Sequence, residues 1–167
     1  MSTTPSVTYT PPFYILFRGD VYDTLCVAPN GSGLNAGLVL VPLDANVVNP
    51  AALWQYGSDG ALYQYNGGST PTLCIGYIGQ PDTTPQLQLV EPPTDGDTTK
   101  QWFLVSDPAA LILNGYDKSY SMNDVGGRGN AGDQVAIYQT PSKLTSNIEW
   151  AYVVYPNVPG QTPTMTQ

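Results

Sequence analysis

The chain has 167 residues, enough for one ordinary domain with a core of its own. Only 11% of the residues are charged, and 5 basic against 13 acidic residues give a formal net charge of −8, which excludes the basic surface that nucleic acid or an anionic membrane requires. There is no histidine, so the commonest general base and metal ligand is missing, and no apolar run approaches the ~18 residues of a membrane span.

The N-terminal "MSTTPSVTYTPP" carries neither a basic n-region nor an apolar h-region and does not read as a secretory signal. A cytoplasmic protein is expected, or one released without a classical signal. Residues 1–12 are predicted to be a flexible segment. Short alternating runs follow: "YILF", "LCV", "LVLV" and "LWQYG", then "LYQY", "LCIGYI", "QLQLV" and "QWFLV", and last "LILN", "YSM", "QVAIY" and "EWAYVV". Each has the period-two pattern and the Gly/Pro/Asn boundaries of a short strand. Helical periodicity is absent, and 16 prolines would interrupt it in most places. Cys26 and Cys74 are the only cysteines; two do not make a disulfide framework and read as buried thiols of a reducing compartment. The sequon at Asn30-Gly31-Ser32 carries little weight without a secretory route. "DANVVNPAA" (Asp44 to Ala52) and "EPPTDGDTTK" (Glu91 to Lys100) read as Pro-stiffened exposed loops, and Asp95-Gly96-Asp97 lacks the rest of a calcium loop. Residues 158–167 read as a flexible tail rich in Pro and Thr.

The runs repeat. Trp54, Trp102 and Trp150 are spaced by 48 residues, as are Gly19, Gly67 and Gly115, and Gly31, Gly79 and Gly127. Val39, Leu87 and Val135 match in type at the same step, as do Val41, Leu89 and Ile137, while Cys26 and Cys74 are answered by Met122. Glycines and apolar residues recur while polar ones drift, which is the mark of a shared backbone and a shared core. A single all-β domain over residues 13–157 is expected, in repeats 13–65, 66–114 and 115–157. Three four-stranded repeats with a Trp near each last strand are the layout of a β-trefoil. The recurrence also supplies a structural reason for Gly19 within the tripeptide Arg18-Gly19-Asp20, which some cell-surface receptors read.

In the "LCV … LVLV … LWQY" and "LCI … LQLV … QWFLV" cadences the chain resembles the ricin B-type lectin family. The family's Gln two positions before each Trp is replaced by Ala52, Lys100 and Ile148, and its aromatic two positions after survives as Tyr56 and Tyr152. The resemblance implies a soluble, non-catalytic protein that binds glycans or glycoproteins without cofactor or metal. It also implies a sugar site made of a polar residue, an aromatic platform fifteen positions later, and an Asn three before the Trp. In the third repeat these are Asn123, Tyr138 and Asn147, with Asn where Asp is usual. Asp124, Asp133, Gln139 and Tyr116 are expected at the rim. The same count gives Val27, Pro42 and Ala51 in the first repeat and Ile75, Val90 and Thr99 in the second, so one site is expected rather than three.

The residues support that chemistry on their own terms. An aromatic ring stacks on the apolar C–H face of a sugar, and an amide offers both donor and acceptor to its hydroxyls. Gly127, Gly129 and Gly132 stand in a G-x-G-x-x-G spacing, but "DQVAIYQ" after them reads as a strand, so a hairpin turn is expected and not a phosphate cradle. A lone weak site favours a homodimer, because avidity multiplies it. The alternative is a β-trefoil protease inhibitor whose partner enzyme meets the Asp44–Ala52 and Glu91–Lys100 loops.

Overall fold

The computed structural model describes residues 6–18, 25–44, 47–94, 97–105, 111–127, 129–143 and 145–155. The alternating runs become twelve strands: β1 (Phe13–Phe17), β2 (Leu25–Pro29), β3 (Leu38–Pro42), β4 (Leu53–Tyr56), β5 (Leu62–Gln64), β6 (Cys74–Gly76), β7 (Gln88–Val90), β8 (Trp102–Val105), β9 (Leu111–Asn114), β10 (Tyr120–Asp124), β11 (Val135–Gln139) and β12 (Trp150–Val154). They form a β-trefoil of three four-stranded lobes. β12, β1, β4 and β5 pair in succession, and β8 pairs with β9. A bridge from Ala61 to Gln101 joins these two parts of the barrel wall. The hairpins β2–β3, β6–β7 and β10–β11 form a cap. Bridges Gly37–Gln88, Gln86–Ala136 and Val39–Gln134 tie each hairpin to the other two.

Equivalent strands fix where each lobe begins. Leu16 pairs with Cys26, Tyr63 with Cys74 and Leu113 with Ser121, so β1, β5 and β9 are the matching first strands. The second and third lobes therefore open at Leu62 and Leu111, a few residues ahead of the repeat boundaries at 66 and 115 read from the sequence.

The three indoles occupy matching places. Each Trp is fully buried, and its Nε1–H donates to a main-chain carbonyl on the second strand of its own lobe. Trp54 bonds to Val27 at 3.0 Å, Trp102 to Ile75 at 3.0 Å and Trp150 to Met122 at 3.1 Å. At roughly 200 Å² per indole and ~25 cal/mol/Å², each ring contributes about 5 kcal/mol of gross burial energy, an upper figure because unfolded chains are partly compact.

These bonds also reveal that the 48-residue step is not uniform. The core residues matching Leu87 and Val135 are Leu38 rather than Val39, and those matching Leu89 and Ile137 are Leu40 rather than Val41. Met122 shares the central core with Val27 and Ile75, whereas the place of Cys26 and Cys74 is taken by Ser121. A slip of one residue turns a strand's side chains to the opposite face, so exact sequence matches can put the wrong face inward. Both cysteines are buried and free.

Two smaller apolar clusters lie outside the central core. One gathers Tyr14, Leu16, Cys26, Ala28 and Leu53 of the first lobe with Tyr155, which follows β12, and Val41 packs against it. The other gathers Ala61, Tyr63, Cys74 and Val90 in the second, with Val7 and Tyr9 against it. Within the expected flexible segment, Tyr9 bridges to Gly57, and Thr10 N–H donates to Tyr56 O at 3.0 Å.

Candidate functional site

On β10 the side chains alternate. Met122 faces the core, so Asn123 and Ser121 face the other way, outside the barrel. On β11 Val135 and Ile137 face the core, which turns Ala136 and Tyr138 to the same outer side. Register then sets Asn123 opposite Ala136 and Ser121 opposite Tyr138. The third member of the expected trio arrives on the one-turn 3-10 segment Ser146–Ile148 that precedes β12. There Asn147 Nδ2–H donates to Asn123 Oδ1 at 3.3 Å. Thr145 Oγ1–H donates to Asn147 Oδ1 and holds that amide in turn.

Asn123, Tyr138 and Asn147 line one cleft of about 500 Å³, together with Thr84, Val125, Gly126, Gln134 and Ala136. Asn123 is nearly buried at 4% exposure, while Tyr138 is 49% exposed and offers a ring face to solvent. Among the described residues, the two amides satisfy only part of each other's capacity. Both hydrogens of the Asn123 amide and one of Asn147 carry no hydrogen bond among the described residues. Tyr138 is the only titratable side chain among the described lining residues.

The loop between β10 and β11 shapes one wall. Gly126, Gly127, Gly129 and Gly132 all have positive φ, and the chain continues as β11 with no helix. At Gly127 a Cβ would approach Asn147 Cβ to 3.3 Å, so a side chain there would crowd the site as well as strain the backbone. The loop is a hairpin turn, as its sequence predicts.

The expected rim residues do not line the cleft. Asp124 is buried on the opposite face of β10 from Asn123, and its Oδ2 accepts from Gly129 N at 3.0 Å. Asp133 Oδ2 accepts from Asn130 N at 2.8 Å and so braces the loop. Gln139 follows Tyr138 and turns away from it. Tyr116 is exposed in the β9–β10 turn, beyond the far end of β10 from Asn123, with its N–H donating to Asn114 Oδ1 at 3.1 Å. Of the other sequence motifs, Gly19 and Asp20 lie outside the described residues, as do Asp95 and Gly96. Asp97 caps a 3-10 turn through Thr99 N and pairs with Lys100 at 3.1 Å.

Counting by structure rather than by sequence, the counterparts of Asn123, Tyr138 and Asn147 are Ala28, Val41 and Ala51 in the first lobe. In the second they are Gly76, Val90 and Thr99. These places hold no polar trio. Ala28 and Val41 belong to the first satellite cluster. In the second lobe Val90 fills the space, since a Cβ at Gly76 would meet its Cγ2 at 2.5 Å. The outer hairpin face is closed by apolar packing in two lobes and open in the third.

No protein-family model matches the chain, and no curated protein matches it by sequence. Solved structures do match it by shape. The C-half of an earthworm R-type lectin, solved in complex with GalNAc, aligns at a TM-score of 0.65 and 11% identity over 86% of this chain and 98% of that one. A Vibrio vulnificus hemolysin/cytolysin β-trefoil lectin with N-acetyl-D-lactosamine bound aligns at 0.60 and 13% over 94% and 96%. The designed threefold-symmetric protein ThreeFoil aligns at 0.63 and 12% over 84% and 96%. At such identities the likeness establishes the β-trefoil fold.

Proposed function

We propose that the protein binds carbohydrate without catalysis, through the cleft of its third lobe. One observation carries the reading. The third lobe alone replaces the apolar packing of the outer hairpin face with a bonded amide pair, Asn123 and Asn147, beside a half-exposed Tyr138. A pyranose places its C–H face on the Tyr138 ring while its hydroxyls accept from the Asn123 and Asn147 amide hydrogens. The amide pair is preorganised, so little side-chain freedom is lost on binding. Chemistry by paired carboxylates has no foothold there, because no carboxylate is among the described residues of the cleft. Two neighbours in fold were solved with sugars bound, which agrees with this use of the scaffold. The three neighbours lend no support to a protease inhibitor.

Neutral amides in place of a carboxylate forgo charge-assisted bonds, so a single site is weak. Dimerisation would multiply it by raising the effective concentration of the second site. The two free buried thiols agree with a reducing compartment. The test is a glycan array probed with the wild type and with Tyr138→Ala. Binding that disappears in the variant supports the reading; a blank array, or binding that survives the substitution, overturns it.

A further inference from the structure

We infer that the third-lobe cleft accommodates two linked sugar residues, the second resting against the Pro81–Pro85 turn of the second lobe with Thr84 as a specificity-determining residue. This rests on the carbohydrate reading above and extends it across the lobe boundary.

Three observations point there. Thr84 belongs to the second lobe yet lines the same cleft as Asn123, Tyr138 and Asn147. The cleft floor at Ala136 is paired on one side with Asn123 of β10 and bridged on the other to Gln86. Two inter-strand spacings, about 10 Å between backbone axes, therefore separate Asn123 from the second-lobe wall, and the cleft of about 500 Å³ extends across them. Ala136 contributes only a methyl group, so the floor between the two walls stays clear.

The second observation is the backbone of Thr84, with φ 51 and ψ 49 in the left-handed region. A β-branched residue is rarely found there, and Pro85 after it disfavours compact backbone a second time. Nothing in a simple turn calls for threonine at such a place; glycine or asparagine would hold it more easily. A strained residue at the mouth of a cleft is the kind of position where conformation is retained for contact with a ligand.

The third is rigidity. Thr84 N–H donates to Pro81 O at 3.1 Å, and Thr83 Oγ1–H to Gln80 O at 2.7 Å. Ile137 N–H donates to Pro85 O at 3.1 Å, and Leu87 N–H to Val135 O at 2.8 Å, so the turn is fastened to β11 itself. A ligand lying over Ala136 would meet the hydroxyl and methyl of Thr84, carried on a fixed backbone, at its far end.

Calorimetric titration tests this on the full chain. The probes are the methyl glycosides of galactose, glucose, mannose and their N-acetylated amino sugars, each against a disaccharide bearing that ring at its non-reducing end. At least one disaccharide should bind about tenfold or more tightly than its matching methyl glycoside. Thr84→Gly, which keeps the backbone conformation without strain, should erase that gain, so that the disaccharide and its methyl glycoside bind alike. Equal affinities of the wild type for the two probes overturn the inference and leave the single-ring site standing, as does a Thr84→Gly variant in which the disaccharide keeps its advantage. A wild type that binds none of the probes overturns both readings.

Discussion

Replacing each tryptophan by phenylalanine, one at a time, probes whether the three lobes share one plan. Every indole N–H is buried and donates to a carbonyl on the second strand of its lobe, at 3.0, 3.0 and 3.1 Å. Phenylalanine removes the donor and strands a buried carbonyl, which costs ~1–3 kcal/mol. The smaller ring leaves a void of about 40 Å³, adding about 1 kcal/mol at ~24 cal/mol/Å³. Each variant should therefore lose about 2–4 kcal/mol, and the three losses should agree within about 1 kcal/mol because the bonds and burial agree. For a domain of this size that lowers Tm by roughly 5–15 °C. Thermal melts and urea titrations followed by circular dichroism read the change without relying on indole fluorescence. A variant that melts with the wild type would show that its indole does not share the common setting, and that the three lobes are not built on one plan.

Tyr138→Ala should abolish sugar binding yet change stability by only about 0.5 kcal/mol, since the ring is half exposed and its loss opens no core cavity; a large fall in Tm would make the ring structural instead. The Ser121 hydroxyl is buried with no partner among the described residues, so Ser121→Cys, which copies the other two lobes, should stabilise the protein by about 1 kcal/mol in urea unfolding. Burial pushes the thiols of Cys26 and Cys74 up to about 12 from an ordinary value near 9. Burial also pushes up the phenols of Tyr63 and Tyr152, with Asp59 adding to the effect at Tyr63. Below about pH 9 folded and unfolded chains hold these protons alike; above it the unfolded chain loses them first. Stability should then fall as pH rises from about 9 to 12, by on the order of 2 kcal/mol per thiol near pH 11, and a urea midpoint that stays flat over that range would contradict it. The same burial should keep both thiols unreactive to Ellman's reagent at neutral pH until the chain unfolds.

The fold was legible because the strongest signals were the bulkiest ones. Three tryptophans at equal spacing and glycines in register reflect constraints that tolerate little drift. Gly31, Gly79 and Gly126, each four residues after Val27, Ile75 and Met122, have positive φ at 111°, 101° and 104°, so the matching glycine of the third lobe stands one place before Gly127. Counting back from Trp150 reached Asn123, Tyr138 and Asn147, which line one cleft, although β10 stands one residue farther from its Trp than β2 and β6 do from theirs, as the indole bonds over 28, 27 and 27 residues show. What counting missed was register. One-residue slips moved the core from Val39 and Val41 to Leu38 and Leu40, and moved Met122 away from the cysteine column. Hydrophobic residues stand on both sides of these strands, so composition alone does not say which face points inward. The expected rim residues lie off the cleft for a related reason. Asp124 and Gln139 are sequence neighbours of Asn123 and Tyr138, and neighbours in a strand point to opposite faces. The same alternation, applied outward from Asn123 and Tyr138, would have found Val125, Ala136 and Gln134. Thr84 had no such signal: it reaches the cleft through the pairing of one lobe's turn with another lobe's strand, and no local pattern encodes that contact.

A crystal soaked with the sugar that scores highest on the glycan array should hold it in the third-lobe cleft. The ring should stack on Tyr138, with a hydroxyl oxygen within about 3 Å of the Asn123 amide nitrogen and the first and second lobes empty. A sugar seated on the outer hairpin face of another lobe, or bound away from Asn123 and Asn147, would rule out the third-lobe site.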